Sequence, residues 1–232
     1  MSVQVFIISW KGQHKNATII YNQIHALQVP VKIVFSDPDK SFNFPNEINI
    51  IRRENHLFWG DKFKACMEFA DFKNTLIIHA DCIFENWGDL IIKYSQAIEN
   101  IKQLAVYAPA VDFSSFPVNK TKLMRLNPIF TSVCFIDCIV FGISAEVIKR
   151  MKLLDYDQNI YGWGIGQIIA AFSVVNNKLL VIDNSMIIKH PKSRGYPTKE
   201  ALDQMSIFLK QATNAERAYI NLLINYLKFL QK

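Results

Sequence analysis

A histidine and an aspartate that close an apolar run are the first residues whose types suggest chemistry. Leu76-Ile77-Ile78 is followed by His79, Ala80 and Asp81. The apolar run predicts a buried strand, and in open α/β sheets ligands bind at the carboxyl ends of strands. A carboxylate there can bind a hard divalent cation, and strand alternation places His79 on the same side as Asp81. The alternative is an aspartate that caps a turn beside a half-buried histidine.

A second histidine ends another apolar run. His190 follows Ile187-Ile188-Lys189 and precedes Pro191, with Lys192 and Arg194 close behind. A neutral imidazole is a good ligand for manganese or zinc, and clustered basic side chains can bind a phosphate. The loop therefore predicts a metal ligand beside a phosphate cradle. A solvated basic loop explains the same residues equally well.

Further carboxylates lie at or near predicted strand ends. Asp37 and Asp39 follow a strand, where they can accept hydrogen bonds from a ribose or a base, although an Asx-Pro turn accounts for Asp37 as well. Asp112 also follows a strand and faces a predicted cleft. Asp137 stands inside the apolar run 134–140, where a charge needs a partner or a purpose. A general base is one purpose, and a salt bridge or a bulge is the alternative.

A glycine-rich turn is the last candidate. Its sequence is Tyr161-Gly162-Trp163-Gly164-Ile165-Gly166. The glycines allow the backbone to approach a ligand closely, and the tryptophan ring can stack on a sugar. The turn does not follow the GxGxxG dinucleotide pattern. A tight turn packed on a core tryptophan is the alternative.

The elements that must position these residues alternate along the chain. This alternation indicates a three-layer α/β/α fold with a mostly parallel central sheet. No linker is evident, so we expect one domain over residues 1–198 and a helical C-terminal extension over residues 199–232. The predicted strands are 3–9, 31–35, 48–51, 75–78, 104–107, 135–143, 179–182 and 186–189, and residues 109–128 are predicted to be irregular.

Composition narrows the class of protein. Of 232 residues, 50% are hydrophobic and 20% charged, which is typical of a folded globular chain. The net charge of +6 favours anionic ligands or a membrane surface, but no basic stripe or motif of a nucleic-acid-binding module is present. The four cysteines lie in apolar settings, which favours reduced thiols. With no signal-peptide pattern, these features predict a cytoplasmic protein.

Taken in order, the motifs resemble those of the GT-A glycosyltransferase superfamily, particularly small bacterial enzymes of lipopolysaccharide or capsule synthesis. Residues 77–81 resemble the strand that ends in the DXD metal motif. Residues 161–165 resemble a GWGID-type motif, and residues 188–191 resemble the late strand with a metal-binding histidine. The first strand and helix and the pair Trp59-Gly60 match the nucleotide-binding half, and residues 137–146 match the acceptor half.

The resemblance implies that a sugar passes from a nucleoside-diphosphate sugar to a hydroxyl of a saccharide or glycolipid acceptor. It assigns Asp81 and His190 to Mn²⁺ or Mg²⁺ at the diphosphate, and Asp137 and Asp112 to catalysis as candidate general bases. Nucleotide-sugar contacts are assigned to Ser9, Trp10, Asp37, Lys62, His79, Trp163, Gly164, Lys192 and Arg194.

Two departures from the family pattern keep other functions open. His79 stands where the first acid of DXD is expected, and Gly166 replaces an acidic residue that serves as the base in some inverting relatives. An inactive glycosyltransferase-like binding subunit is therefore an alternative. A sugar nucleotidyltransferase is another, but it needs a glycine- and basic-rich loop after the first strand, and residues 10–15 contain a single glycine.

The C-terminal helix is amphipathic. Its apolar side carries Tyr219, Leu222, Leu223, Tyr226, Leu227 and Leu230. Such a face predicts packing on the domain or on a second subunit as a homodimer. A peripheral contact with the inner face of the cytoplasmic membrane is the alternative, since Lys228 and Lys232 lie near the helix end.

Overall fold

A nine-stranded sheet forms the middle of the computed structural model, which describes residues 3–37, 42–54, 58–71, 73–191 and 197–229. The strands in these ranges are β1 (Val3–Trp10), β2 (Val31–Ser36), β3 (Ile50–Arg53), β4 (Asn74–His79), β5 (Leu104–Val111), β6 (Lys122–Arg125), β7 (Phe130–Val133), β8 (Val140–Ile143) and β9 (Leu179–Ile188). The helices are α1 (His14–His25), α2 (Trp59–Phe69), α3 (Trp87–Asn100), α4 (Val118–Thr121), α5 (Ala145–Met151), α6 (Ile165–Val175), α7 (Thr198–Phe208) and α8 (Asn214–Phe229).

The sheet combines a parallel half with a mixed half. Its strand order is β3-β2-β1-β4-β8-β5-β9-β7-β6. The first four strands of this order are parallel, whereas β8 runs antiparallel between β4 and β5, and the β6–β7 hairpin adds two antiparallel strands beside β9. The predicted α/β class is confirmed. The mostly parallel sheet is confirmed as well, because β5 and β9 run in the same direction as the first four strands, and only β8 and β7 run against them.

Apolar layers cover both faces of the sheet. On one face, α1 and α3 bury Ile20, Ile24, Trp87 and Leu90 against the odd residues of β1. The other face is covered by α2, α5, α6 and α8, and its core includes Phe63, Phe141 and Ile168. Strand alternation sends successive side chains into the two layers, which produces the three-layer arrangement.

Asp137 lies in a loop, so the predicted strand over residues 135–143 begins too early. Residues 134–139 leave the sheet after β7, and pairing resumes only at Val140. The physical reason is the Asp137 carboxylate, which accepts hydrogen bonds from Ser114 Oγ at 2.8 Å and from the Ser115 backbone N–H at 3.2 Å. These donors come from another loop, so the charge is held beside the sheet rather than within it.

Two further boundaries differ from the sequence prediction. Residues 109–128, expected to be irregular, contain the end of β5, α4 and β6. The two predicted short strands over 179–189 are the single strand β9, whose pairing with β5 shifts register at Asp183. Asp183 is buried in this strand because Tyr107 Oη donates to its carboxylate at 2.8 Å and Ser185 Oγ donates at 2.6 Å.

The C-terminal helix α8 contacts α6. Ile220 and Leu223 are buried in this contact, whereas Leu222 and Phe229 are 69% and 74% exposed. Part of the apolar face is therefore exposed. The homodimer and the membrane contact stay predictions. No helix in the described ranges is both long enough and apolar enough to cross a membrane.

Candidate metal centre

The sheet topology brings the candidate residues to one edge. Because β1, β2, β4, β5 and β9 all end there, the residues after His79 and after Ile188 become neighbours despite their separation in sequence. A pair of hydrogen bonds fixes the contact. The Ile83 N–H donates to the Lys189 carbonyl at 2.9 Å, and the Lys189 N–H donates to the Ile83 carbonyl at 3.1 Å.

His79, Asp81 and His190 form what we call the His–Asp–His cluster. One ligand atom from each lies within 4.8 Å of those of the other two. His190 Nε2 is 3.6 Å from Asp81 Oδ2, and the two side chains are only 15% and 12% exposed. Two imidazole nitrogens and a carboxylate oxygen form a donor set that suits manganese and other first-row divalent cations.

Polar atoms of the cluster are buried without partners. His79 Nε2, Asp81 Oδ1 and His190 Nδ1 have no hydrogen-bond partner among the described residues. A buried polar atom is normally satisfied, so three unsatisfied atoms in one cluster indicate a ligand site. The residues present therefore fit a divalent cation. Other atoms with the same property are Ser9 Oγ, His14 Nδ1 and Trp59 Nε1.

The protonation state of His79 suits metal ligation. Burial lowers the pKa of His79 to about 3, and the nearby charges of His190 and Lys62 add to the shift. The imidazole is therefore neutral at physiological pH, which is the form that binds metals. Burial also raises the pKa of Asp81, although the proximity of His190 opposes that shift. A dication beside Asp81 would favour its charged form.

The two candidate bases lie on one loop system beside the cluster. Asp112 Oδ1 accepts a hydrogen bond from the His190 backbone N–H at 2.9 Å, and the Asp112 N–H donates to the Ile188 carbonyl. Asp112 therefore anchors the His190 segment and is itself exposed. The half-buried carboxylate of Asp137 holds the loop that follows Asp112 through Ser114. Both carboxylates thus lie on the side of the cluster formed by β5.

The predicted nucleoside contacts lie at the ends of β1 and β2. Ser9 and Asp37 are buried and Trp10 is half-buried. Trp10 pairs with Ser36, and Asp37 Oδ2 accepts a hydrogen bond from the Phe42 N–H at 3.0 Å. The Asp37 carboxylate thereby links the end of β2 to Phe42, at the same edge of the sheet as the His–Asp–His cluster.

Lys62 lies in the first turn of α2, near His79. It is buried, and its Nζ donates to the Phe58 carbonyl at 3.3 Å. Burial lowers the pKa of Lys62 to about 8, with Asp61 opposing the shift and Arg53 adding to it. An ion pair between Arg53 and Asp61 ties the end of β3 to the same helix. Lys62 is close enough to contribute to the lowered pKa of His79.

The glycine-rich turn packs against the start of α2 rather than standing free. A Cβ on Gly60 would collide with the Asn159 carbonyl oxygen, and one on Gly162 would collide with the Trp59 ring. The Trp59 ring centroid lies 6.0 Å from that of His79. The turn therefore supports the tryptophan that flanks the cluster.

Two residues of the turn have been assigned to the nucleotide sugar. Trp163 is half-buried, and its carbonyl accepts a hydrogen bond from Asn159 Nδ2 at 2.9 Å. Gly164 has a φ of 95°, and a Cβ there would meet the side chains of Met205 and Phe208. This places Gly164 beneath α7, with packing as its evident role.

We expect Gly60→Ala to destabilise the fold. The added methyl has no space against the 159–162 backbone, and overpacking of this kind costs about 1–3 kcal/mol. Denaturant unfolding would measure the loss. The matched control is Gly88→Ala, because Gly88 lies in the first turn of α3 and its Cβ would approach only Asn86 and Leu27 side-chain atoms, at 3.2 and 3.5 Å. Equal losses in the two variants would contradict the proposed packing.

No family model matches the chain, and no curated protein matches it in sequence. Solved structures do match. GalNAc-T7 in complex with UDP, GalNAc and Mn²⁺ matches over 94% of this chain and 49% of its own length, with a TM-score of 0.62 and 11% identity. TarS from S. aureus matches over 93% and 68% of the two chains, with a TM-score of 0.58 and 11% identity. The mannosyltransferase PcManGT from Pyrobaculum calidifontis, in complex with GDP-Man and Mn²⁺, matches over 95% and 68%, with a TM-score of 0.58 and 10% identity.

This chain has the GT-A fold. The fold also occurs outside glycosyltransferases: CMP:2-keto-3-deoxy-manno-octonic acid synthetase in complex with CTP matches over 91% of this chain and 99% of its own, with a TM-score of 0.50 and 11% identity. Structural neighbours of the chain thus include both glycosyltransferases and nucleotidyltransferases. Identities this low establish the GT-A fold, and the activity has to be argued from the site.

Gly166 cannot be replaced by an acidic residue without a rearrangement. It lies in the first turn of α6, and a Cβ there would come within 3.1 Å of Cys138 Sγ and of the Phe135 ring. The departure from the GWGID-type motif is therefore built into the packing of this chain. Any carboxylate base must come from elsewhere, and Asp112 and Asp137 are on the appropriate edge.

Asn16 and Trp59 lie beside the His–Asp–His cluster, and neither was among the site residues predicted from the sequence. Asn16 contacts the backbone around Asp81, whereas Trp59 and His14 carry buried unpartnered nitrogens. Trp59 begins α2, and His14 and Asn16 lie in the first turn of α1 directly after β1, which is the signal that could have identified them. The assigned residues Lys192 and Arg194 lie outside the described residues, as does Asp39.

Proposed function

We propose that this protein is a metal-dependent glycosyltransferase that moves a sugar from a nucleoside-diphosphate sugar to an acceptor hydroxyl. The observation that carries the proposal is the His–Asp–His cluster, whose buried unpartnered atoms lie at the strand end where the sequence resembles a DXD motif. Two GT-A neighbours with TM-scores of 0.62 and 0.58 are Mn²⁺ complexes, which supports the same reading.

Asp81 and His190 would hold Mn²⁺ or Mg²⁺, with His79 as a third donor or a phosphate contact. When bound, such a cation stabilises the negative charge that develops on a diphosphate leaving group. Asp37 and Trp10 would hold the nucleoside at the ends of β1 and β2, with Ser9 beside them. Lys62 adds positive charge near His79, and Trp163 lies in the turn that supports Trp59.

Removal of the acceptor proton falls to Asp112 or Asp137 if the reaction inverts the anomeric centre. Asp112 is exposed and already linked to His190 by a hydrogen bond, so it can reach a substrate at the cluster edge. Asp137 is half-buried and binds Ser114, so it also positions the loop after Asp112. We place Asp112 nearer the chemistry and keep Asp137 as the second candidate base.

The acceptor is proposed to be a saccharide or glycolipid of a bacterial surface polysaccharide, with the protein acting in the cytoplasm at the inner membrane face. The basis is the motif resemblance and the net charge of +6, which favours anionic surfaces. A sugar nucleotidyltransferase is less well supported. It needs a glycine-rich loop after the first strand, and the turn between β1 and α1 has a single glycine, Gly12. An inactive binding subunit accounts for Gly166 and could also bind a metal at the cluster, so the assay of turnover decides between the two.

We expect nucleoside-diphosphate sugars to bind only when Mn²⁺ is present. Calorimetry with a panel of UDP, GDP and ADP sugars, each with Mn²⁺ or with EDTA, would measure this, followed by assay of slow donor hydrolysis. Binding with hydrolysis supports the glycosyltransferase. Binding with no hydrolysis and no transfer to any acceptor supports the inactive subunit, and the absence of binding by every donor overturns the proposal.

A further inference from the structure

Asn16 holds the backbone on both sides of Asp81. Its side-chain Nδ2 donates to the Ala80 carbonyl at 2.5 Å and to the Cys82 carbonyl at 2.9 Å. One amide thus spans the turn that carries the carboxylate. We propose that Asn16 is a positioning residue that fixes Asp81 for metal binding, an inference that rests on the proposed function.

The Asp81 carboxylate has few other constraints. Its Oδ1 has no hydrogen-bond partner in the described part of the chain, and its Oδ2 is 3.6 Å from His190. The position of the side chain is therefore set mainly by its backbone. In that backbone, the Ala80 N–H donates to the Ile8 carbonyl and the Cys82 N–H donates to the His79 carbonyl. The carbonyls of residues 80 and 82 accept from Asn16 instead.

The chemistry of the contact requires an amide. A primary amide offers two N–H donors from one nitrogen, which matches two carbonyl acceptors on one turn. A serine at this position offers a single donor. An aspartate has the same shape, but it would place a carboxylate oxygen against the two carbonyl oxygens. The like partial charges would then repel each other. The expected order of metal affinity is therefore the parent protein first, then Asn16→Ser, then Asn16→Asp.

Location supports the assignment. Asn16 lies in the first turn of α1, directly after β1, and β1 and β4 are parallel neighbours. The helix start thus lies at the carboxyl edge where Asp81 emerges. Because α1 also packs on the core through Ala17 and Ile20, the amide is held on a rigid element.

The test measures Mn²⁺ affinity by isothermal calorimetry on the whole chain, with Mn²⁺ alone as the probe and no nucleotide. Asn16→Asp should weaken binding by about 10–100-fold, the loss typical when the partner of a ligand is removed. The matched control is Gln23→Glu on the same helix, whose side-chain amide donates to the Glu85 carbonyl at 3.4 Å and accepts from the Trp87 N–H at 2.9 Å. Its Mn²⁺ affinity should equal that of the parent. Melting temperatures in EDTA are recorded for every variant, and Asn16→Ser serves if Asn16→Asp does not fold.

The outcomes separate the inference from the proposed function. If the parent binds Mn²⁺ and both Asn16 variants bind it equally well, the positioning role is wrong and the metal centre stands. In a second outcome, Gln23→Glu and the Asn16 variants all lose Mn²⁺ affinity in proportion to the fall in their melting temperatures. The effect is then one of general stability, and the inference is again overturned. If the parent binds no Mn²⁺ at all, the metal centre itself is wrong.

Discussion

Asp81→Asn is expected to abolish Mn²⁺ binding and to leave the free protein at least as stable as the parent. The variant keeps the shape of the side chain but removes the anionic oxygen. Loss of a direct ligand should exceed the about 10–100-fold loss expected when only a ligand's partner is changed. Donor hydrolysis in the presence of Mn²⁺ should fall to background.

Stability moves in the opposite direction because Asp81 is a largely buried acid whose Oδ1 has no hydrogen-bond partner among the described residues. Burial raises its pKa, so the ionised form is less favourable in the folded than in the unfolded chain. Asparagine has no charge to bury, and replacing an acid that serves a ligand site typically costs no stability. The free energy of unfolding in EDTA should therefore be unchanged or higher in the variant.

Thermal shift distinguishes the two effects in one experiment. Mn²⁺ at about 100 times its Kd adds about 2.7 kcal/mol to the parent, or roughly 5–11 °C for a chain of this length. Asp81→Asn should show no such shift. The control is Asp89→Asn, an exposed acid in the first turn of α3, which should shift as the parent does. A full Mn²⁺ shift in Asp81→Asn would contradict the metal assignment.

Glu216→Gln is expected to destabilise the fold by about 3–5 kcal/mol, because it leaves a partly buried guanidinium without its counter-charge. Glu216 is 3% exposed and Arg150 is 12% exposed, and two nitrogens of Arg150 donate to the carboxylate at 2.8 Å each. The Thr213 N–H donates to the same carboxylate at 2.7 Å. The pair joins α8 to α5, so its loss should also loosen the C-terminal helix.

A matched ion pair on the surface supplies the control. Lys178 Nζ lies 3.0 Å from Glu146, whose side chain is 57% exposed. Glu146→Gln should change the free energy of unfolding by less than about 1 kcal/mol, since exposed pairs contribute little. Urea unfolding measures both variants. Similar losses in the free energy of unfolding for Glu216→Gln and Glu146→Gln would show that the buried pair stabilises the fold no more than the exposed pair does.

The pH dependence of the same pair has a definite sign. Burial by itself would raise the pKa of Glu216, but hydrogen bonds and charge from Arg150, with the Thr213 bonds, lower it below its usual value. A depressed carboxyl pKa stabilises the fold above the unfolded pKa, and this stability is lost as pH falls through the folded pKa. The stability of the parent should therefore drop on acidification below about pH 4.5 by more than that of Glu216→Gln.

The sequence by itself determined the class of fold and the identity of the metal-binding candidates. Apolar runs separated by helical patterns predict a layered α/β protein because burial imposes those periods locally. The runs before His79 and His190 end in polar residues for the same local reason, so both strand ends were predictable. The boundary near Asp137 was not, because its hydrogen bonds come from Ser114 and Ser115 in a distant loop.

Only the tertiary structure decided which candidates meet. His190 reaches Asp81 because β9 pairs with β5 and then bridges to Ile83, a relation that no local pattern encodes. Packing likewise gave Gly164 a place under α7, and it left little room for a larger side chain at position 166. The hydrogen bonds from Asn16 to the backbone around Asp81 could not be predicted from the sequence. An asparagine there is explained equally well as an ordinary polar residue in the first turn of a helix. Contacts between strand ends depend on chain topology, and topology is set by long-range burial rather than by neighbouring residues.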